Sequence, residues 1–414
     1  MHTGDRILSL DALRGFAVMG ILLMNITAFA LPDSAYFNPR AWGGTGPADL
    51  LAWTAAFVLV DGKMRGLFSL LFGASMLLII DRAEMSGRDG RRVHLVRSAW
   101  LFLIGLAHYL LLWWGDILML YAIIGCIALL FVGHDPMGLV KWAFGCFAAH
   151  FLLMLMIVAS LHGMRHAAMQ PDAGADVITA FRETLATLGE PGTPQIAHSL
   201  ATYRAGFGTV IGHHAATLMD HLHLLLYFGL DTLGFMLLGM AMLKGGFLTG
   251  GWDADQYRRT ARHCLVIGLV PMILIAAWLL WQGFPTLATF DAVMTWSFPF
   301  RIPLTVGYAA LFLTVILRRR GSALIDRVAA TGRMALSNYL GTSLLMCALF
   351  YGWGLGLFGH VGRAAIYLFV PAVWAVMLLW SKPWLDRFAY GPVEWLWRSL
   401  SRGEMQKMRK SVPS

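Results

Sequence analysis

Residues 8–31 read LSLDALRGFAVMGILLMNITAFAL, a run of membrane-spanning length that carries Asp11, Arg14 and Asn25. A bilayer core of about 30 Å takes roughly 20 apolar residues as a helix, so the stretch is long enough to cross. At about 100° per residue, Arg14 and Asn25 differ by only about 20° around the helix, with Asp11 about 60° away. One stripe of this helix is therefore polar. Such groups cost roughly 2.5–3.5 kcal/mol each at a bilayer centre, which favours a stripe facing a partner, a cavity or a substrate. Asp11 and Arg14 lie near the helix start and can also simply pair at the interface.

The rest of the chain has the same character. Of its 414 residues 58% are hydrophobic and 13% charged, with mean hydropathy +0.64. Apolar runs predict ten spans, near 8–31, 62–81, 98–114, 117–133, 142–160, 223–244, 263–282, 298–317, 334–354 and 365–381. The expected fold is all-α, a polytopic integral membrane helix bundle of about ten transmembrane helices with both termini cytoplasmic. Charge sets the orientation: twenty-three of the 32 Lys and Arg fall in segments on the N-terminal side of the membrane, against five in the opposite ones. That bias follows the positive-inside rule, so the net charge of +9 reports topology and not a nucleic-acid partner. The first run is too long for a signal-peptide core and lacks a small-residue cleavage site after it, so it reads as a retained span. Cys126, Cys146, Cys264 and Cys347 lie inside apolar runs without ligand spacing and read as small core residues.

Four regions are expected: an N-terminal transmembrane half (1–160), an outer, partly helical segment (161–222), a C-terminal transmembrane half (223–400) and a basic cytoplasmic tail (401–414). Residues 47–60 are apolar but short, bounded by Asp61, Gly62 and Lys63. They suit a half-buried helix leading into the second span, and broken helices of this kind often line cavities. The outer segment, with helical pieces expected at 176–188 and 197–221, holds His162, His166, His198, His213, His214 and His221, with His223 just beyond. Without HExxH or a supporting cysteine these read as a wet surface cluster, and no metal is expected. The tail from Arg398 to Lys410 suits anionic lipid, at about 1 kcal/mol per charge. No G-x-x-x-x-G-K-[ST] loop occurs, which argues against ATP-driven work.

In the third span Arg97 and His108 repeat the eleven-residue spacing, which puts His108 about halfway across. A buried neutral histidine can donate to a backbone carbonyl, or serve as a general base with its pKa tuned near neutrality. Asp116 follows in Trp113-Trp114-Gly115-Asp116, a corner expected at the outer interface with its tryptophans as anchors. On a continuous helix about 80° and 12 Å of rise separate Asp116 from His108, so only a further turn lets it orient the imidazole. Asp61, Lys63, Arg65, Asp231, Arg301 and Asn338 are further intramembrane polar groups, and Pro299 and Pro303 flank Arg301. Arg301 or Lys63 could bind a phosphate or carboxylate; internal pairing with Asp11, Asp61 or Asp231 is the equal alternative.

The segments RILSLDALRGFAVMGILLMNI, DGKMRGLFSLLFGASM, LAHYLLLWWGDILMLYA, DTLGFMLLGMAM, GRMALSNYL, FYGWGLGLFG and YGPVEWLWRSL, in this order from about Arg6 to Leu400, resemble the YeiB-like membrane proteins, the domain-of-unknown-function 418 family. Residues 223–400 carry that family's typical C-terminal half. The first span is similar to a wider superfamily of transmembrane acyltransferases, the acyltransferase-3 sugar O-acetylases and the heparan-glucosaminide N-acetyltransferase. The resemblance implies a multi-pass protein of the bacterial plasma (inner) membrane. It further implies an enzyme that moves an acyl (acetyl) group from acyl-CoA, its donor co-substrate, to a hydroxyl or amine of a cell-envelope or small polar acceptor. Where acyltransferase-3 proteins have a catalytic His eleven positions after Arg, this chain has Asn25 after Arg14. In the heparan-type enzymes the His precedes a W-x-G-x-x-x-A-D-L stretch that resembles Trp42–Leu50, and Pro39 occupies its place here. Either His108 has taken the role or the family does different chemistry.

On the first alternative His108 is the base with Asp116 as its orienter, and Asn25 donates to the oxyanion. Arg14 and Arg65 hold the thioester or its phosphates, and Asp11, Asp61, Lys63, Arg97, Asp231, Arg301 and Asn338 complete the expected substrate contacts. The other partners are the bilayer and, as an open state, a second copy in a homodimer. A transporter using the same buried polar groups is the alternative, although no internal repeat of the transporter kind is evident.

Overall fold

The computed structural model describes residues 3–410, which are helical throughout apart from turns and one isolated bridge between Phe388 and Arg409. Helix α1 (Thr3–Ala30) leaves the end of the bundle where the basic residues gather. After the short α2 (Ser34–Phe37) the chain returns through α3 (Pro47–Leu59) and α4 (Lys63–Met85). Pro47 at the first helical position and Asp49 in the first turn suit the amide-rich start of α3. The break between α3 and α4 depends on Gly62, whose φ is +73°. A Cβ there would also lie 2.6 Å from Arg301 Cδ, so the expected short helix leading into the second span bends where a side chain has no room.

Helix α5 (Gly90–Leu111) runs back, capped by the Asp89 carboxylate on Arg92 N–H at 3.1 Å. Then come α6 (Leu118–Ala128), prolonged by a 3₁₀ turn to Phe131, and the long α7 (Pro136–Ala168). The segment beyond is four helices, α8 (Ala175–Thr187), α9 (Pro194–Tyr203), α10 (Phe207–Ala216) and α11 (Leu218–Leu222). It folds back over the bundle: Tyr109 and Thr217 share a hydroxyl bond of 3.0 Å, and Gly352 N–H donates to Tyr203 O at 2.8 Å. The second half comprises α12 (Leu224–Lys244), α13 (Ala254–Gln282), α14 (Thr286–Asp291), a π-turn to Trp296, α15 (Phe298–Arg318) and α16 (Ala323–Arg333). It closes with α17 (Ala335–Phe350), α18 (Arg363–Ile366), α19 (Phe369–Arg387) and the amphipathic α20 (Pro392–Arg402).

Among the described residues eight helical stretches are long and apolar enough to cross a membrane, and two apolar ones, Leu118–Phe131 and Ala335–Phe350, are shorter. All ten coincide with the expected spans; the correction is in length. At 1.5 Å per residue the two short ones reach only about 21 and 24 Å, less than a bilayer core. The most apolar helices are not the most enclosed ones. Helices α13 and α7, at mean hydropathy 2.5 and 2.2, are among the least enclosed, whereas the windows on α1 and on the stretch containing α12, at 1.7, are the most enclosed. Apolar surface turned outward and polar residues turned inward mark a polytopic membrane protein.

The bundle is locked where α1 crosses α16. A Cβ on Gly15 would stand 2.0 Å from Val328 O, and one on Gly332 1.8 Å from Asp11 O, so the backbones touch. Gly332→Ala is expected to lower thermal stability in detergent by about 1–3 kcal/mol or more, because two helices must part to admit a methyl group. An unchanged unfolding temperature would contradict this crossing.

Candidate functional site

A cavity of ≈ 320 Å³ opens at the basic end among α1, α4, α5, α6, α16, α17 and α20. Its wall is apolar, with Leu10, Phe68, Leu71, Phe72, Met76 and Leu101, and its charged groups are Asp11, Arg14, Arg82, Arg97, Arg333 and Glu394. Arg14 bonds Asp11 at 3.0 Å and donates to Ser75 Oγ at 2.7 Å. Glu394 is tied down elsewhere: Oε1 accepts the Leu336 and Ser337 N–H groups at 2.7 and 3.0 Å, and Oε2 accepts the Ser337 hydroxyl. Burial raises its carboxyl pKa, against the pull of the Ser337 donors. Arg97 stacks over Trp397 at 4.0 Å. Among the described residues Arg82, Arg97 and Arg333 have no carboxylate partner, so the cavity is an apolar slot with a positive rim. Expected residues Asp11, Arg14 and Arg97 line it. Arg82 and Arg333, which read in the sequence as topology charges, and His94, Tyr121, Tyr339 and Glu394 join them.

Behind one wall lies the α5–α6 corner. Leu112 and Trp113 both donate N–H to His108 O, at 2.9 and 3.0 Å, which ends α5, and Asp116 Oδ1 caps α6 through Met119 N–H at 3.0 Å. Gly105 lets the chain fold back this closely; a Cβ there would meet Met119 N at 2.8 Å. The reversal brings Asp116 Oδ2 to 2.7 Å from His108 Nδ1, both residues being about 3% exposed or less. An ionised carboxylate only accepts, so Nδ1 carries a proton, and in the neutral imidazole the lone pair then falls on Nε2, which has no partner among the described residues. The Tyr339 ring, part of the cavity wall, is centred 5.2 Å from the imidazole.

The corner packs against protein, so Trp113 is not the lipid-facing anchor expected of it. Trp113 is 1% exposed and stacks on Phe29 at 4.0 Å, and His214 of α10 reaches Leu110 O at 3.3 Å. The physical reason is that α10 and α11 cover the end of α5, through His214 on Leu110 O and through Thr217 and His221 against Tyr109. Asn25 does not line the cavity; it is buried one turn from Phe29 on the same face of α1, the face that meets the corner. The α1 stripe thus runs from the cavity at Asp11 and Arg14 to Asn25, one turn before the Phe29 that stacks on Trp113.

The other expected contacts lie elsewhere. Arg65 pairs with Asp231, donates to Thr232 Oγ1 at 3.2 Å and faces the Phe228 ring at 4.7 Å. Arg301 pairs with Asp61 at 2.9 Å, and Asp61 also accepts the Tyr36 hydroxyl at 2.5 Å. Lys63 is fully buried and donates to Phe57 O at 2.5 Å, capping α3. Asn338 fastens α16, α17 and α19 through Thr331 O, Ser381 Oγ and Trp380 Nε1 at 2.8–3.1 Å. None of these six lines the cavity, so Arg65 does not hold a ligand there. The internal-pairing alternative describes Asp61, Arg65, Asp231 and Arg301. Among the described residues no three His, Cys, Asp or Glu converge as a metal site.

The family profile described as "Protein of unknown function (DUF418)" matches residues 242–404. The chain is 34% identical to a protein of Escherichia coli (strain K12) described as uncharacterized protein YeiB, over 96% of each chain. It is 30% identical to uncharacterized protein YxaH of Bacillus subtilis (strain 168), over 99% of this chain and 98% of that one. No solved structure matches. With relatives of this identity along nearly its whole length, the chain belongs to the YeiB-like DUF418 family of membrane proteins.

Proposed function

We propose that this protein is an acyl-CoA-dependent acyltransferase of the bacterial inner membrane, which passes an acetyl or other short acyl group to a hydroxyl or amine of a small polar or cell-envelope acceptor. One observation carries the reading: an apolar slot with an arginine rim ends at Tyr339, and a buried His–Asp pair with a free imidazole nitrogen lies directly behind that ring. The positive-inside rule puts the slot on the cytoplasmic side, where acyl-CoA is found. Arg14, Arg82, Arg97 and Arg333 suit its phosphates, and the apolar wall suits its pantetheine and acyl portion.

In this scheme His108 Nε2 takes the proton of the acceptor as its oxygen or nitrogen attacks the thioester carbonyl. The tetrahedral intermediate collapses with cleavage of the C–S bond, and the thiolate leaves with the proton returned by the imidazolium. Asp116 holds the tautomer and balances the imidazolium charge, and Asn25 is the nearest α1 amide for the oxyanion. Tyr339 must move aside for the thioester to reach Nε2.

Purified protein in nanodiscs is therefore expected to bind acetyl-CoA and to transfer its label. Arg97→Gln and Arg333→Gln should each raise the KM for the donor about tenfold or more with little change in kcat, as each removes a charge-assisted contact worth about 1.5–3 kcal/mol. No acyl-CoA binding at millimolar concentration would end this reading. The bent α3–α4 helix and the buried pairs Asp61–Arg301 and Arg65–Asp231 favour transport as the second reading, which a solute flux in proteoliposomes without acyl transfer would support.

A further inference from the structure

The slot is too small for the whole of an acyl-CoA. Its ≈ 320 Å³ lie at the lower end of the roughly 300–1,000 Å³ of pockets for drug-sized ligands, and a coenzyme A thioester is larger than such ligands. The acyl and pantetheine portions can fill the slot, and the nucleotide end then stays outside its mouth, against α20 and the turn from α4 to α5. Helix α20 is fastened across this mouth. Trp397 Nε1 donates to Arg97 O at 2.8 Å, and Val393 N–H donates to Ser337 Oγ at 3.0 Å beside the Glu394 bonds to α17. At about 100° per residue Arg398 and Arg402 follow Glu394 in steps of about 40°, so they continue along the helix from a residue that lines the slot.

The charges that gather here are of one sign. The ionisable neighbours of Arg97 are Arg398 and Arg402, and those of Arg398 are the Tyr390 phenol, Arg402, Arg88 and Arg82. The bonds these arginines make go to neutral groups: Arg88 Nε to Ser86 Oγ at 3.1 Å, and Arg402 Nη1 to Gln406 Oε1 at 2.8 Å. Arg398 faces the Tyr390 ring at 4.8 Å, and its Nε is enclosed without a partner. The carboxylates close by are used otherwise. Glu394 holds the start of α17, Asp89 caps α5, Glu404 accepts from Gln406, and Asp11, which acts on Arg82 from a distance, is bonded by Arg14. Among the described residues neither these nor Asp81 and Glu84 come within ion-pair distance of Arg82, Arg88, Arg97, Arg398 or Arg402. Like charges held together in this way repel one another and favour a multiply charged anion.

We propose that Arg88, Arg97, Arg398 and Arg402 form a phosphomonoester site outside the slot, which holds the ribose 3′-phosphate of the coenzyme A donor while Arg14, Arg82 and Arg333 hold its diphosphate at the rim. The inference rests on the acyl-CoA reading and adds to it the recognition of the nucleotide end. A terminal phosphate offers three oxygens to the guanidinium forks and carries about −1.5 to −2 charges near neutrality, more than the phosphodiester of a lipid headgroup.

The test uses full-length protein in phosphatidylcholine nanodiscs, with acetyl-CoA, 3′-dephospho-acetyl-CoA and adenosine 3′,5′-bisphosphate as probes in equilibrium binding. Acetyl-CoA is expected to bind about tenfold or more tightly than its 3′-dephospho form, the effect of a charge-assisted contact, and the ratio should shrink as salt rises. Arg402→Gln, at an exposed position, should cut the ratio several-fold, and together with Arg398→Gln should bring it near one. If the double variant does not fold, Arg402→Gln carries the test. Adenosine 3′,5′-bisphosphate should displace acetyl-CoA from the native protein. A ratio near one in native protein that binds acetyl-CoA would overturn the phosphate site and leave the acyl-CoA reading standing; the full ratio without acyl transfer would do the reverse. If neither acetyl-CoA nor the bisphosphate binds, both fall. Substitutions that leave the ratio unchanged but remove a stabilisation by phosphatidylglycerol would assign the arginines to lipid headgroups and overturn the proposal.

Discussion

His108→Asn is expected to lower the rate of acyl transfer by about 10²–10⁴-fold, the range that a positioned general base contributes. The asparagine amide falls close to the imidazole Nδ1, so the bond to Asp116, 2.7 Å in the native protein, is retained while Nε2 is deleted. The unfolding temperature should therefore stay near that of the native protein, which separates lost chemistry from lost fold. His108→Ala should be equally inactive but less stable, because it leaves the Asp116 carboxylate buried and half-satisfied at 2% exposure. Asp116→Asn should reduce transfer as well, since an amide no longer fixes the proton on Nδ1. Donor binding through Arg14, Arg82, Arg97 and Arg333 should survive all three substitutions, as none touches the rim of the slot. Native transfer rates in His108→Asn would remove the imidazole from the mechanism, whatever the slot binds.

Asp231→Ala is expected to destabilise the protein by about 3–5 kcal/mol. Its partner Arg65 is buried between α4 and α12, and removal of the carboxylate leaves the guanidinium with Thr232 Oγ1 and the Phe228 face but no carboxylate within ion-pair distance among the described residues. The double variant Arg65→Met, Asp231→Leu should recover most of the loss, because replacing both members of a buried pair by apolar groups of similar volume is often neutral or better. A full double-mutant cycle in detergent, read as thermal unfolding, measures the coupling. The recovered double variant also discriminates between functions. If it transfers acyl groups normally, the pair is a structural fastening; if it is stable but has lost a solute flux, the buried charges belong to a transport path.

The ten apolar helices were legible because each lies in one continuous run of sequence, and hydropathy sums a transfer free energy over such a run. Their lengths were less legible. The α5–α6 corner contains two tryptophans and an aspartate, which by composition suit a membrane surface, yet α10 and α11 cover it with protein. The candidate site was legible in part. Asp11, Arg14, Arg97, His108 and Asp116 stand out as polar groups in apolar surroundings, and the first three line the slot. Arg82 and Arg333 did not stand out, because an arginine at a helix end on the basic side obeys the positive-inside rule whether or not it also faces a cavity. Tyr339 was invisible for a similar reason: an aromatic residue in a span is unremarkable until the imidazole beside it is placed.

The sequence by itself determined that this chain spans a membrane as a helical bundle, which end carries the charge, and which helices carry polar groups that lipid does not favour. Each of these follows from one-dimensional periodicity and transfer energy. Only the tertiary structure decided which polar groups meet. Asp116 reaches His108 through a reversal after Gly105, Arg65 finds Asp231 from another helix, and Arg363 donates to Ala35 O and Trp42 O from the far end of the chain. A burial cost can be read along the chain, but its compensation depends on contacts between helices that the sequence keeps far apart.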